Sequence, residues 1–180
     1  WIGTFHGLAH RLLQTHWAEA GLPQNFQILD SDDQLRLVKR ISRELGLDDA
    51  KWPPKQAQWF INGQKDEGLR AKHIDPPMGD LYTKTMVRIY EAYEEACQRG
   101  GLVDFAELLL RAHELLLRSP ETLRHYQERF NILLLDDFQD TNSIQYAWLR
   151  VLAGYALPVL AVAVDDLSIY SCRGSKFLHI

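Results

Sequence analysis

Two carboxylates stand side by side at Asp136 and Asp137, directly after the apolar run Ile132-Leu133-Leu134-Leu135 and ahead of Phe138-Gln139-Asp140-Thr141-Asn142. Four consecutive apolar residues that stop abruptly at acids read as a short strand covered on both faces, not as one stripe of a helix. In α/β folds the crevice at the carboxyl ends of such strands is where ligand chemistry sits. The chemistry that two adjacent acids offer there is that of a metal-bound nucleotide. One carboxylate holds Mg²⁺ directly or through water, and the other orients the water that attacks a γ-phosphate. The plainer alternative is a strand followed by a helix cap, with Asp140, Thr141 or Asn142 capping a helix outlined by Ile144, Trp148 and Leu152. The two readings coexist, because capping uses the later residues and leaves Asp136 and Asp137 free.

The elements that must position these acids are legible on both sides. A second apolar run, Val159-Leu160-Ala161-Val162-Ala163-Val164, again ends in acids, Asp165 and Asp166, and is followed by Ser168-Ile169-Tyr170-Ser171-Cys172-Arg173-Gly174. Near the other end Thr4 is placed to cap a helix carrying Leu8, Leu12 and Leu13. His6 and His10 lie four apart on that helix, a spacing suited to zinc, but no neighbouring carboxylate or Cys completes a site. Between these ends the chain reads as helical. Ser31-Asp32-Asp33-Gln34 has capping-box form, and Leu35, Leu37, Val38, Ile41 and Leu45 follow before Gly46. A proline-started helix runs from about Pro54 to Gln64 and carries Trp59 and Phe60 toward a core or a partner. Another runs from near Asp80 to Arg99, with Val87, Tyr90 and Cys97 on one apolar side. Asp104 and Glu107 read first as a capping pair for a further helix, and Ser119-Pro120 starts a shorter one. Lys65, Arg70, Lys72 and His73 form a small cationic cluster, either an ordinary solvated face or a phosphate contact.

Composition bounds the class. With 46% hydrophobic and 24% charged residues in 180, the chain can bury a core and is neither disordered nor fibrous. A formal net charge of −4 excludes a histone-like basic surface but not a groove with local cations. Cys97 and Cys172 are far apart and show no paired spacing, which points to a reducing cytoplasm. No apolar run is long enough for a membrane span, and no signal peptide is evident.

The string from Asp136 to Thr141 closely resembles motif II of the UvrD/Rep/PcrA-type superfamily 1 DNA helicases, in which the second acid is usually Glu. Asp165 to Gly174 resembles motif III of the same family, and Thr4-Phe5-His6 resembles a helicase motif whose Thr and His touch the DNA backbone. Leu102 to Leu109 resembles a segment that precedes motif II, while Phe26 to Asp30 and Gln64 to Leu69 resemble the inserted subdomain of the UvrD branch. The resemblance implies an α/β fold, with a mostly helical inserted subdomain joined to part of a RecA-like parallel sheet. It divides the chain into residues 1–20 of the core lobe, a helical insertion over 21–103, and the back of the lobe over 104–180. It implies Asp136 as the magnesium-associated acid, Asp137 as the catalytic base, Gln139 beside them, and Mg and ATP as cofactors. Thr4, Phe5, His6, Tyr170, Arg173 and Lys65 would contact DNA, single-stranded and duplex, with DNA-repair proteins as further partners.

This copy departs from the family in ways with physical consequences. Asp137 is one methylene shorter than Glu, which moves its carboxylate by about 1 Å. Leu167 stands where the family has a Gln that senses phosphate, and a Leu side chain makes no hydrogen bond. Cys172 replaces an aromatic ring, a base-stacking platform typically worth about 1–3 kcal/mol, and Val164 replaces an acid. Tyr170 and Arg173 match, Tyr170 serving either as a stacking ring or as a core aromatic. The 180 residues contain no G-x-x-x-x-G-K-[ST] phosphate loop. The chain reads as an internal piece of a helicase whose isolated form neither hydrolyses ATP nor unwinds DNA. The alternative is a degenerate, non-catalytic DNA- or protein-binding module. A third reading places the four departures in the sequence assignment and not in the molecule.

Overall fold

The computed structural model describes residues 4–129, 133–136, 142–153, 159–162 and 169–170; for 129, 133–136, 153, 159–162 and 169–170 the backbone alone is described. Among the described residues, seven helices and five short strands follow in the order α1 (Phe5–Thr15), β1 (Gln27–Leu29), α2 (Ser31–Glu44), α3 (Pro54–Asp66), a 3₁₀ turn (Ala71–His73), α4 (Leu81–Gly100), β2 (Leu102–Asp104), α5 (Phe105–Arg118), α6 (Pro120–Arg129), β3 (Leu133–Asp136), α7 (Ser143–Ala153), β4 (Val159–Val162) and β5 (Ile169–Tyr170). None of the described helices is long and apolar enough to cross a membrane.

Two small sheets frame the helices. β3 and β4 pair in parallel, Leu133 opposite Val159 and Asp136 opposite Val162, and β5 adds antiparallel to β4. Parallel strands need a crossover, and α7 lies between β3 and β4 in sequence. The second sheet is the parallel pair β1 and β2, in register from Gln27 opposite Leu102 to Leu29 opposite Asp104. Its crossover is the whole run from α2 to α4. The fold is therefore α/β and mostly helical, as the sequence implied. The β1–β2 pair is an addition: three residues per strand are too few to show a period-2 pattern.

Apolar burial separates into two cores. Leu12 and Leu13 of α1, Val103, the α5 run Leu108, Leu109, Ala112, Leu115 and Leu116, Tyr126 of α6, and Ile144, Trp148 and Leu152 of α7 form one. Leu37, Val38 and Ile41 of α2, Ala57 and Ile61 of α3, and Met86, Ile89, Tyr90, Tyr93 and Cys97 of α4 form the other. Of the stripes anticipated on α1, α2, α4 and α7, Leu12, Leu13, Leu37, Val38, Ile41, Val87, Tyr90, Cys97, Ile144, Trp148 and Leu152 are buried, while Leu8, Leu35 and Leu45 are half-buried. Trp59, by contrast, stays 63% exposed with Lys55 Nζ over its ring, while Phe60 packs at the edge of the second core.

The caps explain where the helices begin and end. The start of α2 differs by one residue from the capping-box reading. Asp30, not Ser31, is the N-cap, its carboxylate accepting from Asp33 N–H at 2.8 Å. An ionised Asp is as good a cap as Ser and complements the helix dipole better. Gln34 is then free to turn inward. At the far end of α4, Gly101 takes φ +62, and a Cβ there would lie 2.6 Å from Pro23 Cγ. Both the left-handed backbone and the close approach require glycine, and the turn leads straight into β2.

Candidate functional site

Asp136 is the last residue of β3, so it sits at the carboxyl edge of a parallel strand pair. Seven residues later α7 opens with a reciprocal cap. Asn142 Oδ1 accepts from Gln145 N–H at 3.0 Å, and Gln145 Oε1 accepts from Asn142 N–H at 3.3 Å. Of the three residues read as possible caps, Asn142 fills the role. Asp137 and Gln139 lie outside the described residues, as do Arg173, Val164, Leu167 and Cys172. Tyr170 ends the two-residue β5, paired with Ala161.

At the amino-terminal end Thr4 caps α1, its hydroxyl accepting from Gly7 N–H at 3.1 Å. Thr4 is exposed, whereas Phe5 and His6 are half-buried and Phe5 packs against the first core. Burial pushes the His6 imidazole below its ordinary pKa, because desolvation disfavours the charged ring. His10 sits edge-on to Phe26, centroids 5.9 Å apart. α1 packs along α5 and so carries Thr4 and His6 on the first core.

Lys65 is the sequence expectation that the structure overturns. It is 1% exposed, with Nζ 2.8 Å from Asp104 Oδ2 and 2.9 Å from Glu107 Oε1. A lysine so enclosed cannot present its charge to a nucleic-acid backbone. Arg70, from the same cluster, forks onto Glu107 with two 2.6 Å bonds and also reaches Glu114 at 2.6 and 3.1 Å. Arg111 adds a 3.0 Å bond to Glu107 and another to the Ala20 carbonyl. Tyr93 donates to Asp104 at 2.5 Å, and Asp104 also caps α5 through Glu107 N–H at 2.7 Å. Three cations thus meet three carboxylates where the two cores join.

The electrostatics are those of a closed network. Burial alone would lower the Lys65 pKa, but Asp104 and Glu107 more than offset it and hold the ammonium above its ordinary range. Burial would raise Glu107, yet Lys65 and Arg70 keep it well below the usual carboxylate range. Burial, reinforced by Asp104, pushes the Tyr93 phenol upward, so it remains a donor. Gln34, Gln58 and Asn62 extend the polar chain, with Gln34 Nε2 2.7 Å from Asn62 Oδ1 and 3.4 Å from Asp104 Oδ2.

The sequence pattern described as UvrD/REP helicase N-terminal domain matches residues 1–180. The chain belongs to this UvrD/REP family. It is 59% identical over its whole length to DNA helicase II of Escherichia coli (strain K12), of which it covers 25%. To DNA helicase II of Haemophilus influenzae it is 52% identical, again over the whole chain and 25% of that protein. To the ATP-dependent DNA helicase PcrA of Bacillus subtilis (strain 168) it is 32% identical over the whole chain and 24% of that protein. The chain spans about a quarter of the length of the curated relatives it matches.

In this UvrD/REP domain the residues at the junction of the two cores were the ones sequence reasoning missed. A signal was present. Lys65 follows Ala57 and Ile61 at four-residue steps on the buried stripe of α3, and a cation on an apolar stripe needs a buried carboxylate partner. Asp104 caps α5 as read, but Glu107 contributes only its backbone N–H and not the reciprocal side-chain bond of a capping pair, and the cap uses only one Asp104 oxygen. The remaining oxygens were free to receive Lys65 and Arg70.

Proposed function

We propose that this chain supplies part of the nucleotide site and part of the single-strand track of an ATP-dependent DNA helicase. The observation that carries this reading is Asp136 at the carboxyl edge of the parallel β3–β4 pair, with the cap of α7 deferred to Asn142. That arrangement leaves Asp136 uncommitted to starting the helix.

A donor set made only of carboxylates suits a hard, oxygen-seeking cation such as Mg²⁺. Asp136 would hold the ion, with Asp137 as base toward the attacking water and Gln139 beside them. Bound Mg–ATP would supply the transferable phosphoryl group and neutralise charge that develops on it. What the chain itself does is place Asp136 at the end of a strand paired with β4, with α7 opening seven residues later. Trp148 pins α7 to α5 by donating to the Leu109 carbonyl at 2.7 Å.

On the DNA side, Thr4 supports a double role. Its oxygen accepts the cap bond while its hydroxyl hydrogen remains available to a phosphate. His6, Phe5, Tyr170 and Arg173 would complete contacts to single-stranded DNA, with duplex DNA and DNA-repair proteins as partners of the whole protein. We read residues 21–103 as the helical insertion between core segments 1–20 and 104–180, a division that the two apolar cores support for α2 to α4, whereas Leu22, Phe26, Ile28 and Val103 near its ends pack in the first core. Because these 180 residues hold no phosphate loop of the G-x-x-x-x-G-K-[ST] kind, the chain by itself is expected not to hydrolyse ATP. Leu167, Cys172, Val164 and Asp137 favour a second reading, a non-catalytic module that keeps DNA or protein binding.

The test is ATP hydrolysis by the whole protein, with and without single-stranded oligonucleotide, beside Asp136→Asn. Stimulation by DNA and a loss of at least about a hundredfold in the variant are expected, since metal-ligand stabilisation of the transition state is worth several kcal/mol. Absence of hydrolysis in the unaltered protein, with salt-sensitive oligonucleotide binding retained, would establish the second reading instead.

A further inference from the structure

Among the described side-chain caps of the α-helices, Asp104 alone is deeply buried. Thr4, Asp30, Asp80 and Asn142 cap their helices from exposed or half-buried positions, whereas Asp104 is 2% exposed. Capping alone does not call for that. A neutral Ser, Thr or Asn starts a helix about as well as Asp, and withdrawing a carboxylate from water is costly unless other groups meet it.

The two oxygens of Asp104 have different partners. Oδ1 accepts from Glu107 N–H at 2.7 Å and so caps α5. Oδ2 faces the second core, where it accepts from Lys65 Nζ at 2.8 Å, from the Tyr93 hydroxyl at 2.5 Å and more loosely from Gln34 Nε2 at 3.4 Å. Gln34 lies in the first turn of α2, Lys65 in the last turn of α3 and Tyr93 within α4. Each helix of the second core thus sends one buried side chain to the same oxygen. These donors are braced in turn. Gln58 and Asn62 of α3 donate to Gln34 Oε1 at 3.0 and 3.3 Å, and Lys65 also reaches Glu107.

The backbone explains why three helices can reach one residue. Asp104 ends β2 opposite Leu29 of the parallel strand β1, and Asp30, the next residue after Leu29, caps α2. Two strands side by side therefore open into α2 of the second core and α5 of the first. α5 in turn lies along α1 and α7, so the start of α5 is a single point through which the second core meets the first.

We infer that Asp104 Oδ2 seats the three-helix unit α2 to α4 on α5, a role separate from the capping of α5 by Oδ1. Directed hydrogen bonds to one charged atom fix the relative placement of two cores more narrowly than apolar contact, which has no direction. Without the seat, α2 to α4 opens as a unit while α1 and α5 stay closed. This role requires no bound ligand.

The experiment is hydrogen exchange of the whole protein, read peptide by peptide, for the parent, Asp104→Asn, Asp104→Ala and Tyr93→Phe. Asp104→Asn is the discriminating change. Its carbonyl keeps the cap on Glu107 N–H, but its amide turns hydrogens toward Lys65 Nζ and Gln34 Nε2, neither of which can accept. Protected amides of α2 to α4 should exchange about ten- to a hundredfold faster than in the parent, the weight of hydrogen bonds to a charged acceptor, with those of α1 and α5 unchanged. Tyr93→Phe leaves the cap and the Lys65 pair in place and should give about a tenfold acceleration in the same peptides. Asp104→Ala removes the cap as well and should speed the first turn of α5 in addition. Exchange in Asp104→Asn that matches the parent would make Asp104 a cap and nothing more. Acceleration by one common factor in both cores would mean a general loss of stability without a seat. Either result overturns the inference, and if Asp104→Asn does not fold, Tyr93→Phe decides between the same outcomes.

Discussion

Arg70 and Glu107 meet through two parallel hydrogen bonds, Nη1 to Oε1 and Nη2 to Oε2, each 2.6 Å long, across the junction of the two apolar cores. The fork fits a planar guanidinium and not an ammonium. Glu107 also faces Lys65 and Arg111, so removing it leaves three buried or half-buried cations short of a partner. Glu107→Ala is expected to cost about 3–5 kcal/mol in urea unfolding, the range for breaking a buried ion pair from one side. Arg70→Lys should lose part of that, because it keeps the charge but forfeits the second bond. Unfolding curves that leave the Glu107→Ala midpoint unmoved would show that the network contributes nothing to stability.

The same network sets a pH window. The folded-state pKa of Glu107 is depressed, so its contribution is present above the unfolded value, about 4.3, and is lost as pH falls through the folded value. Lys65 is raised, so its contribution is full below the unfolded value, about 10.4, and is lost as pH rises past that into the folded range. Between about pH 5 and 10 these two groups give a plateau. Glu107→Gln should flatten the acid limb of stability against pH and leave the plateau lower. An acid limb as steep in the variant as in the parent would assign it to other carboxylates.

How much of this was legible in the sequence depends on how each residue's signal is carried. The strand ending at Asp136, a cap for α7 somewhere among Asp140, Thr141 and Asn142, and most of the stripes of α1, α2, α4 and α7 were readable, because periodicity and abrupt polarity changes are local. The β1–β2 pair was not, since Gln27–Leu29 and Leu102–Asp104 find each other only across the helical run between them. Lys65 was misplaced for a related reason. Beside Asp66 and Glu67 it looks like part of a solvated charged stretch, and only Asp104 and Glu107, some forty residues away, explain its burial. The N-cap of α2 slipped by one residue because Asp30 and Ser31 are both good caps and sequence alone does not rank them.

Cys97 offers a check on the second core that is independent of activity. It is 8% exposed, and burial pushes its thiol up to about 11. The reactive species is the thiolate, so in a Cys172→Ser background alkylation of the folded protein near pH 7.5 should be slower than that of a free thiol by about a hundredfold or more. Addition of urea should restore the free rate at the concentration where the α2–α4 core opens. Fast labelling in native buffer would mean that this core is open as a matter of course.

The last expectation concerns the acid pair. Asp136 is fixed at the end of β3, so the reach of its neighbour depends on side-chain length. Relative to the family's Glu, Asp137 places its carboxylate about 1 Å nearer the backbone, and a misplacement of that size costs up to about a hundredfold in rate. Asp137→Glu in the whole protein should therefore raise the turnover number for ATP by about tenfold or more, with little change in KM, because the added methylene acts on water orientation and not on nucleotide binding. Leu167→Gln should act differently, restoring a hydrogen-bonding side chain where the family senses phosphate and sharpening the dependence of hydrolysis on DNA. Both substitutions are read out in one steady-state series with and without oligonucleotide. A parent that already turns over as fast as Asp137→Glu would show that the chain has adjusted its backbone to the shorter acid, and that Asp137 is as competent a base as the Glu it replaces.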